Sequence, residues 1–363
     1  MGIEFSEQRW QKVKSDTKAW WEGMLGRPLI QIRLKGKKTE CKEPSTPLYP
    51  FTSFYDDTVS ADQIIDCWDH QLCQTRFMGD AFPVVFPNFG PGVIAAFLGA
   101  ILTNGNNTVW LHPAKDIEIG SLCLECQPNN PWLCRIIDVI RVASKRWRGM
   151  VQIAMTDLGG SLDILSTFRP SEKLLFDLYD HPADVNRILW QASALWHRYF
   201  EQLSEAAAPY NPGYSNWALI FSEQPSYILQ CDFCYMLGPD MFKEFVLPEL
   251  ESTAKKLSNV FYHLDGPGQL VHLDNILRVD AIKGIEWVPG AGQPDVTHWP
   301  DVYKKITDAG KKIHIFHHQA DNPFEVLSIL KRQIGRLDNV LYVFDGDISQ
   351  EEKINRFLKI YMQ

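Results

Sequence analysis

Hydrophobic positions recur along this chain with two periods, one of three to four residues that marks helices and one of short apolar or alternating runs that marks strands. The segment 6–24 carries Trp10, Val13, Trp20, Trp21 and Met24 among Lys, Glu and Asp, which predicts an amphipathic helix with an aromatic face. Gly26-Arg27-Pro28 stops it, and 29–34 reads as a short strand before a polar, Pro-containing loop over 35–50. Further strands are predicted at 83–86, 151–155, 218–221, 260–264, 282–287, 312–316 and 340–344. Helical patterns lie between them at 171–178, 182–203, 239–256, 270–276, 301–309, 323–333 and 350–360. Pro239-Asp240 and Asn322-Pro323 are start signals, and Gly310 is suited to the left-handed cap that closes a helix before a strand.

Strands that alternate with helices argue for a parallel sheet. Their number and spacing predict an α/β (β/α)8 TIM barrel with an N-terminal helical extension: residues 1–60 as the extension and 61–363 as the barrel. No G-x-G-x-x-G turn follows an early strand, which argues against a dinucleotide fold. G-x-S-x-G and P-loop motifs are also absent, so serine-nucleophile and nucleotide-hydrolysis readings have no support.

Barrels of this kind carry their active site at the C-terminal ends of the strands. That rule selects Asp157 (with Asp163 further on), Glu223, His263 and Asp265, Glu286 and Trp287, His317 and His318, and Asp345. Imidazoles and carboxylates facing one cavity suit either a metal site or acid/base chemistry. His263, Asp265 and a later His317 or Asp345 could ligate Zn²⁺, and the same donors suit Fe or Mn. Each residue alone has a competing structural reading, since strand-end carboxylates also cap helices and hold turns, as Asp345-Gly346 would. Trp217 and Trp287, near strand ends, could wall a flat ligand such as a tetrapyrrole, corrinoid or pterin, whereas most of the 12 Trp must fill core.

Composition narrows the classes. Apolar residues at 45% and charged ones at 22% of 363 residues describe a folded globular chain. A net charge of −8, with no basic run longer than Lys35-Gly36-Lys37-Lys38, argues against nucleic acid. No basic segment leads into an apolar one at the start, and no apolar run is long enough for a bilayer, so a cytoplasmic location with mostly free thiols is expected. The C-x-x-C pairs Cys123/Cys126 and Cys231/Cys234 are too far apart for a zinc ribbon and read as structural.

The run from Met236 to Leu250 and Phe261-Tyr-His-Leu-Asp-Gly266 resemble the uroporphyrinogen decarboxylase-like superfamily, as does Thr156-Asp-Leu-Gly-Gly160 followed by Asp163. Gly266-Pro-Gly-Gln-Leu270, Ile285-Glu-Trp-Val-Pro-Gly-Ala-Gly292, Gly79-Asp-Ala-Phe-Pro83 and Asn88-Phe-Gly-Pro-Gly92 are similar to its corrinoid (cobamide) methyltransferase-like branch. The resemblance implies a barrel and two chemistries. Decarboxylases of the family use no cofactor, and a family Asp, to which Asp80 would correspond, steadies pyrrole nitrogens. Methyltransferases of the branch hold Zn²⁺ through a His-x-Cys pair and a distant Cys; here His263-Leu-Asp265 and Asp345 stand at those places.

The leading expectation is therefore a methyltransferase moving methyl between a corrinoid, such as methylcobalamin on a partner corrinoid protein, and a small acceptor, with Zn²⁺ as the candidate metal. His263, Asp265, His317 and Asp345 would be metal ligands, Glu286, Asp157 and Glu223 catalytic, and Asp80, Trp217, Trp287 and His318 substrate-binding. A cofactor-independent carboxy-lyase and a non-catalytic partner of a corrinoid protein are the alternatives. A homodimer is compatible with the resemblance.

Overall fold

The computed structural model describes residues 2–208 and 210–362, apart from the side chain of Ser171. Its architecture is mixed α/β around a mostly parallel central sheet. The strands are β1 Leu29–Lys35, β2 Arg76–Gly79, β3 Val84–Val85, β4 Ile101–Asn104, β5 Val109–His112, β6 Gln152–Ile153, β7 Ile228–Leu229, β8 Val260–Asp265, β9 Ile282–Val288, β10 Lys312–Phe316 and β11 Val340–Asp347. Seven of them form one sheet in the order β2-β1-β11-β10-β9-β8-β7, in which only β2 runs antiparallel. β3 and β6 form a separate parallel pair, and β4 and β5 a hairpin. The ladder is not continuous between β2 and β3 or between β6 and β7. β1, within the expected N-terminal extension, is an integral strand between β2 and β11.

Alternation along the strands sorts the core into two layers. Val260, Tyr262 and Leu264 of β8 join the larger cluster beneath the helices, while Phe261 joins an inner cluster with Trp10, Trp20, Phe82, Phe221 and Leu341. The inner cluster forms an aromatic floor against the other face of the sheet. The helix Glu7–Trp21 supplies it: Ser6 caps the Arg9 N–H, and Trp10, Val13, Thr17 and Trp20 bury one stripe. Lys312 of β10 donates from Nζ to the Trp20 carbonyl and lies 4.3 Å from the Trp20 ring centroid, which ties this helix to the strand above it.

One expectation is corrected. The apolar run 218–221 is not a strand; it is buried floor, Leu219 has a left-handed φ of 60°, and the strand lies at β7 instead. Most thiols are free, as expected; Cys41 and Cys73 form a disulfide joining the loop after β1 to the end of helix Ala61–Cys73. Among the described residues no helix is long and apolar enough to cross a membrane.

Candidate active site

Strand register builds the centre of the site. Glu286 of β9 is the rung partner of His263 on β8 and of His314 on β10. Side chains on one rung of adjacent parallel strands face the same way and stand about 4.8 Å apart. A carboxylate is thereby flanked by two imidazoles, directly above the aromatic floor. His263 Nδ1 is hydrogen-bonded to Glu286 Oε2 at 2.7 Å, and His314 Nδ1 lies 3.2 Å from Oε1. Glu286 and His314 are fully buried, so the carboxylate meets the imidazole in a medium of low polarity.

The electrostatics follow from that geometry. Burial alone would raise the Glu286 carboxyl, but the imidazoles of His263 and His314 outweigh it and hold it down at about 2. Burial would likewise discharge His263; the Glu286 hydrogen bond and charge, with Asp232 and Asp265 behind them, lift it to about 9 instead. The ring of His263 also meets that of Trp217 edge-on, with centroids 4.9 Å apart.

Three carboxylates complete the cluster. Asp265 ends β8, and Asp232 follows β7. His263, Asp232 and Asp265 each place a ligand atom within 4.8 Å of the other two. Asp232 reaches solvent on one side, yet crowding by protein and then the charge of Asp163 push its carboxyl up to about 7 against the pull of His263. Asp157, in the segment after β6, is raised to about 6 by burial, although it accepts the N–H of Gly159 at 2.9 Å and of Gly92 at 3.4 Å.

The donor set fits a divalent cation. Nδ1 of His263 is committed to Glu286, which leaves Nε2 as its ligating atom, and a carboxylate behind a ligating imidazole fixes its tautomer and raises its basicity. One nitrogen and two carboxylate oxygens suit Zn²⁺, Mn²⁺ or Fe²⁺.

The structure thus brings together His263, Asp265, Glu286, Asp157 and Trp217, keeps His318 within electrostatic reach of Glu286 and His314, and gives the other expected residues different partners. Asp345 is the rung partner of Arg33, which binds both its carboxylate oxygens, so its charge is already neutralised. Nδ1 of His317 accepts the Asp345 backbone N–H, which removes that nitrogen as a ligand atom. His318 is exposed and stacked on Phe316 at the rim. Trp287 points to the outer face and packs against Trp299 beneath the helices. Asp80 accepts two bonds from Arg27 and one from the Ile30 N–H, near the start of β1 and so at the opposite end of the sheet. Glu223 is also at that end, beside Lys14.

Two members escaped the strand-end rule. His314 lies inside β10, where alternation puts Lys312, His314 and Phe316 on the face of the inner cluster and Ile313 and Ile315 behind; that period was the available signal. Asp232 hides between Cys231 and Cys234, and nothing in its local sequence marks it as a ligand.

No family model matches the chain, and no curated protein matches it by sequence. Among solved structures it is similar to a methyltransferase from Methanosarcina mazei, with a TM-score of 0.58 and 10% identity over 92% of each chain. That likeness concerns the fold.

Proposed function

We infer that this protein is a metal-assisted methyltransferase whose donor is a methylated corrinoid carried by a partner protein and whose acceptor is a small molecule. The observation that carries the reading is His263, its Nδ1 held by Glu286 and its Nε2 left to meet the Asp232 and Asp265 carboxylates. The fold shared with a methyltransferase supports it, as do the sequence motifs.

His263, Asp232 and Asp265 would hold the metal, which when bound supplies a Lewis acid that lowers the pKa of an acceptor's nucleophilic group. Glu286 keeps the His263 tautomer fixed, and His314 keeps Glu286 ionised from the other side. Asp157, with its carboxyl near 6, is suited to take the proton that the acceptor loses as it accepts methyl. The shell has carboxylates where the resembling branch has thiolates, and this harder set favours an oxygen or nitrogen acceptor over a thiol.

The test is visible spectroscopy of methyl-cob(III)alamin mixed with the protein, Zn²⁺ or Mn²⁺, and candidate acceptors. Conversion to the cob(I)alamin spectrum, lost in His263→Ala, supports the reading. Conversion that persists unchanged in His263→Ala and Asp265→Ala contradicts it.

A further inference from the structure

Asp163 is a further enclosed carboxylate of the region, and its surroundings give it a different task. It lies in the first turn of helix Ser161–Phe168. Its Oδ1 accepts the Phe233 N–H at 2.8 Å, and its Oδ2 accepts those of Asp232 at 3.1 Å and Gly160 at 3.2 Å. Both oxygens are engaged by backbone donors, so Asp163 is poorly placed to ligate a metal itself. It clamps the backbone of residues 232 and 233 onto the start of a helix from another part of the chain.

A second observation marks the same seat. A Cβ at Gly160 would lie 2.2 Å from the Gln230 carbonyl oxygen, so the helix start and the end of β7 approach closely enough to require glycine. The far side of the segment is held too, since Gln269 Nε2 donates to the Cys231 carbonyl and His272 Nε2 lies 3.0 Å from the Cys234 carbonyl. The start of the 3-10 turn Asp232–Met236 is thereby held from two sides, with the Asp232 side chain beside His263 and Asp265.

We propose that Asp163 is a positioning residue that sets the Asp232 arm of the metal site, acting only through the backbone N–H groups of Asp232 and Phe233. This rests on the metal reading above. It divides the labour of two adjacent carboxylates: Asp232 meets the ion, and Asp163 holds Asp232 at the distance from His263 and Asp265 that chelation needs. Partners of this kind commonly change metal affinity by about 10–100-fold when removed.

The experiment is a thermodynamic cycle read as Zn²⁺ affinity, by isothermal titration into the metal-free full-length protein. Asp163→Asn is expected to weaken Zn²⁺ binding by about 10–100-fold. Asp232→Asn is expected to weaken it at least as much, and the double variant no more than Asp232→Asn alone, because Asp163 has no route to the ion except Asp232. Amide exchange in Asp163→Asn should quicken at residues 231–234 while the strands stay protected. If Asp163→Asn does not fold, Asp163→Glu displaces the carboxylate without removing its charge and is expected to show the same pattern. Wild-type affinity in a folded Asp163 variant, or losses that multiply in the double variant, overturns the positioning role and leaves the metal reading standing. A wild-type protein that takes up no Zn²⁺ overturns both.

Discussion

Among single residues, one carboxylate between two imidazoles governs the site's charge. In the metal-free protein, NMR titration of the His263 ring should give a pKa near 9, well above the ordinary 6.5. Glu286→Gln removes the partner but leaves the burial, so His263 should fall below 6.5. The sign for stability follows: a histidine raised on folding contributes fully below pH 6.5, and that contribution is lost as pH rises through about 9. Urea unfolding of wild type and Glu286→Gln across pH 6–10 should therefore converge at the alkaline end. A gap that stays constant would contradict the ion pair. At Gly160, alanine would place its Cβ 2.2 Å from a carbonyl oxygen, and the expected cost is about 1–3 kcal/mol in chemical denaturation.

At the scale of elements, the helix Glu7–Trp21 and β10 work as a unit because Lys312 caps one with a charge carried on the other. Burial lowers the Lys312 ammonium to about 8. The folded state must keep this charge below that pH, and between about 8 and 10.5 it sheds its proton before the unfolded chain does. Stability should accordingly rise across that window relative to Lys312→Met, measured by the difference in unfolding midpoint between the two proteins. Trp20→Ala empties a fully buried site in the floor and is expected to cost about 3–5 kcal/mol.

These elements also mark what was legible in the sequence. β8 to β11 were readable because each is an apolar run buried on its outer face and bounded by turn residues, and three of the site residues sit at or near their ends. The run 218–221 has the same apolar composition, but tertiary packing uses it as floor with a left-handed residue in it, which periodicity alone cannot reveal. His314 was concealed because the isoleucines on either side dominate the hydropathy of β10. Asp345 looked like a free strand-end acid, and Asp80 entered through the resemblance alone; their guanidinium partners, Arg33 and Arg27, are 312 and 53 residues away in sequence. Asp232 depends wholly on the fold, since a neighbour 69 residues distant sets its backbone.

For the whole molecule, the two ends of one sheet differ. The tryptophan-bearing helix packs near the starts of the parallel strands, and the candidate site collects at or towards their other ends. The disulfide Cys41–Cys73 staples the loop leaving β1 to helix Ala61–Cys73, closing a loop with a sequence separation of 32. Reduction or Cys73→Ser is expected to destabilise the protein by about 2–4 kcal/mol, seen as a lowered melting temperature. The Zn²⁺ affinity should change little, because the metal cluster lies on β8 and the segment after β7.

The central claim is that His263, Asp232 and Asp265 form one divalent-metal site, and anomalous X-ray scattering from crystals equilibrated with Zn²⁺ tests it most directly. The account predicts a single strong peak bonded to His263 Nε2 and to both carboxylates, absent in His263→Ala. A peak among His317, His318 and Asp345, or no peak near His263 in a protein that binds Zn²⁺ in solution, would contradict it.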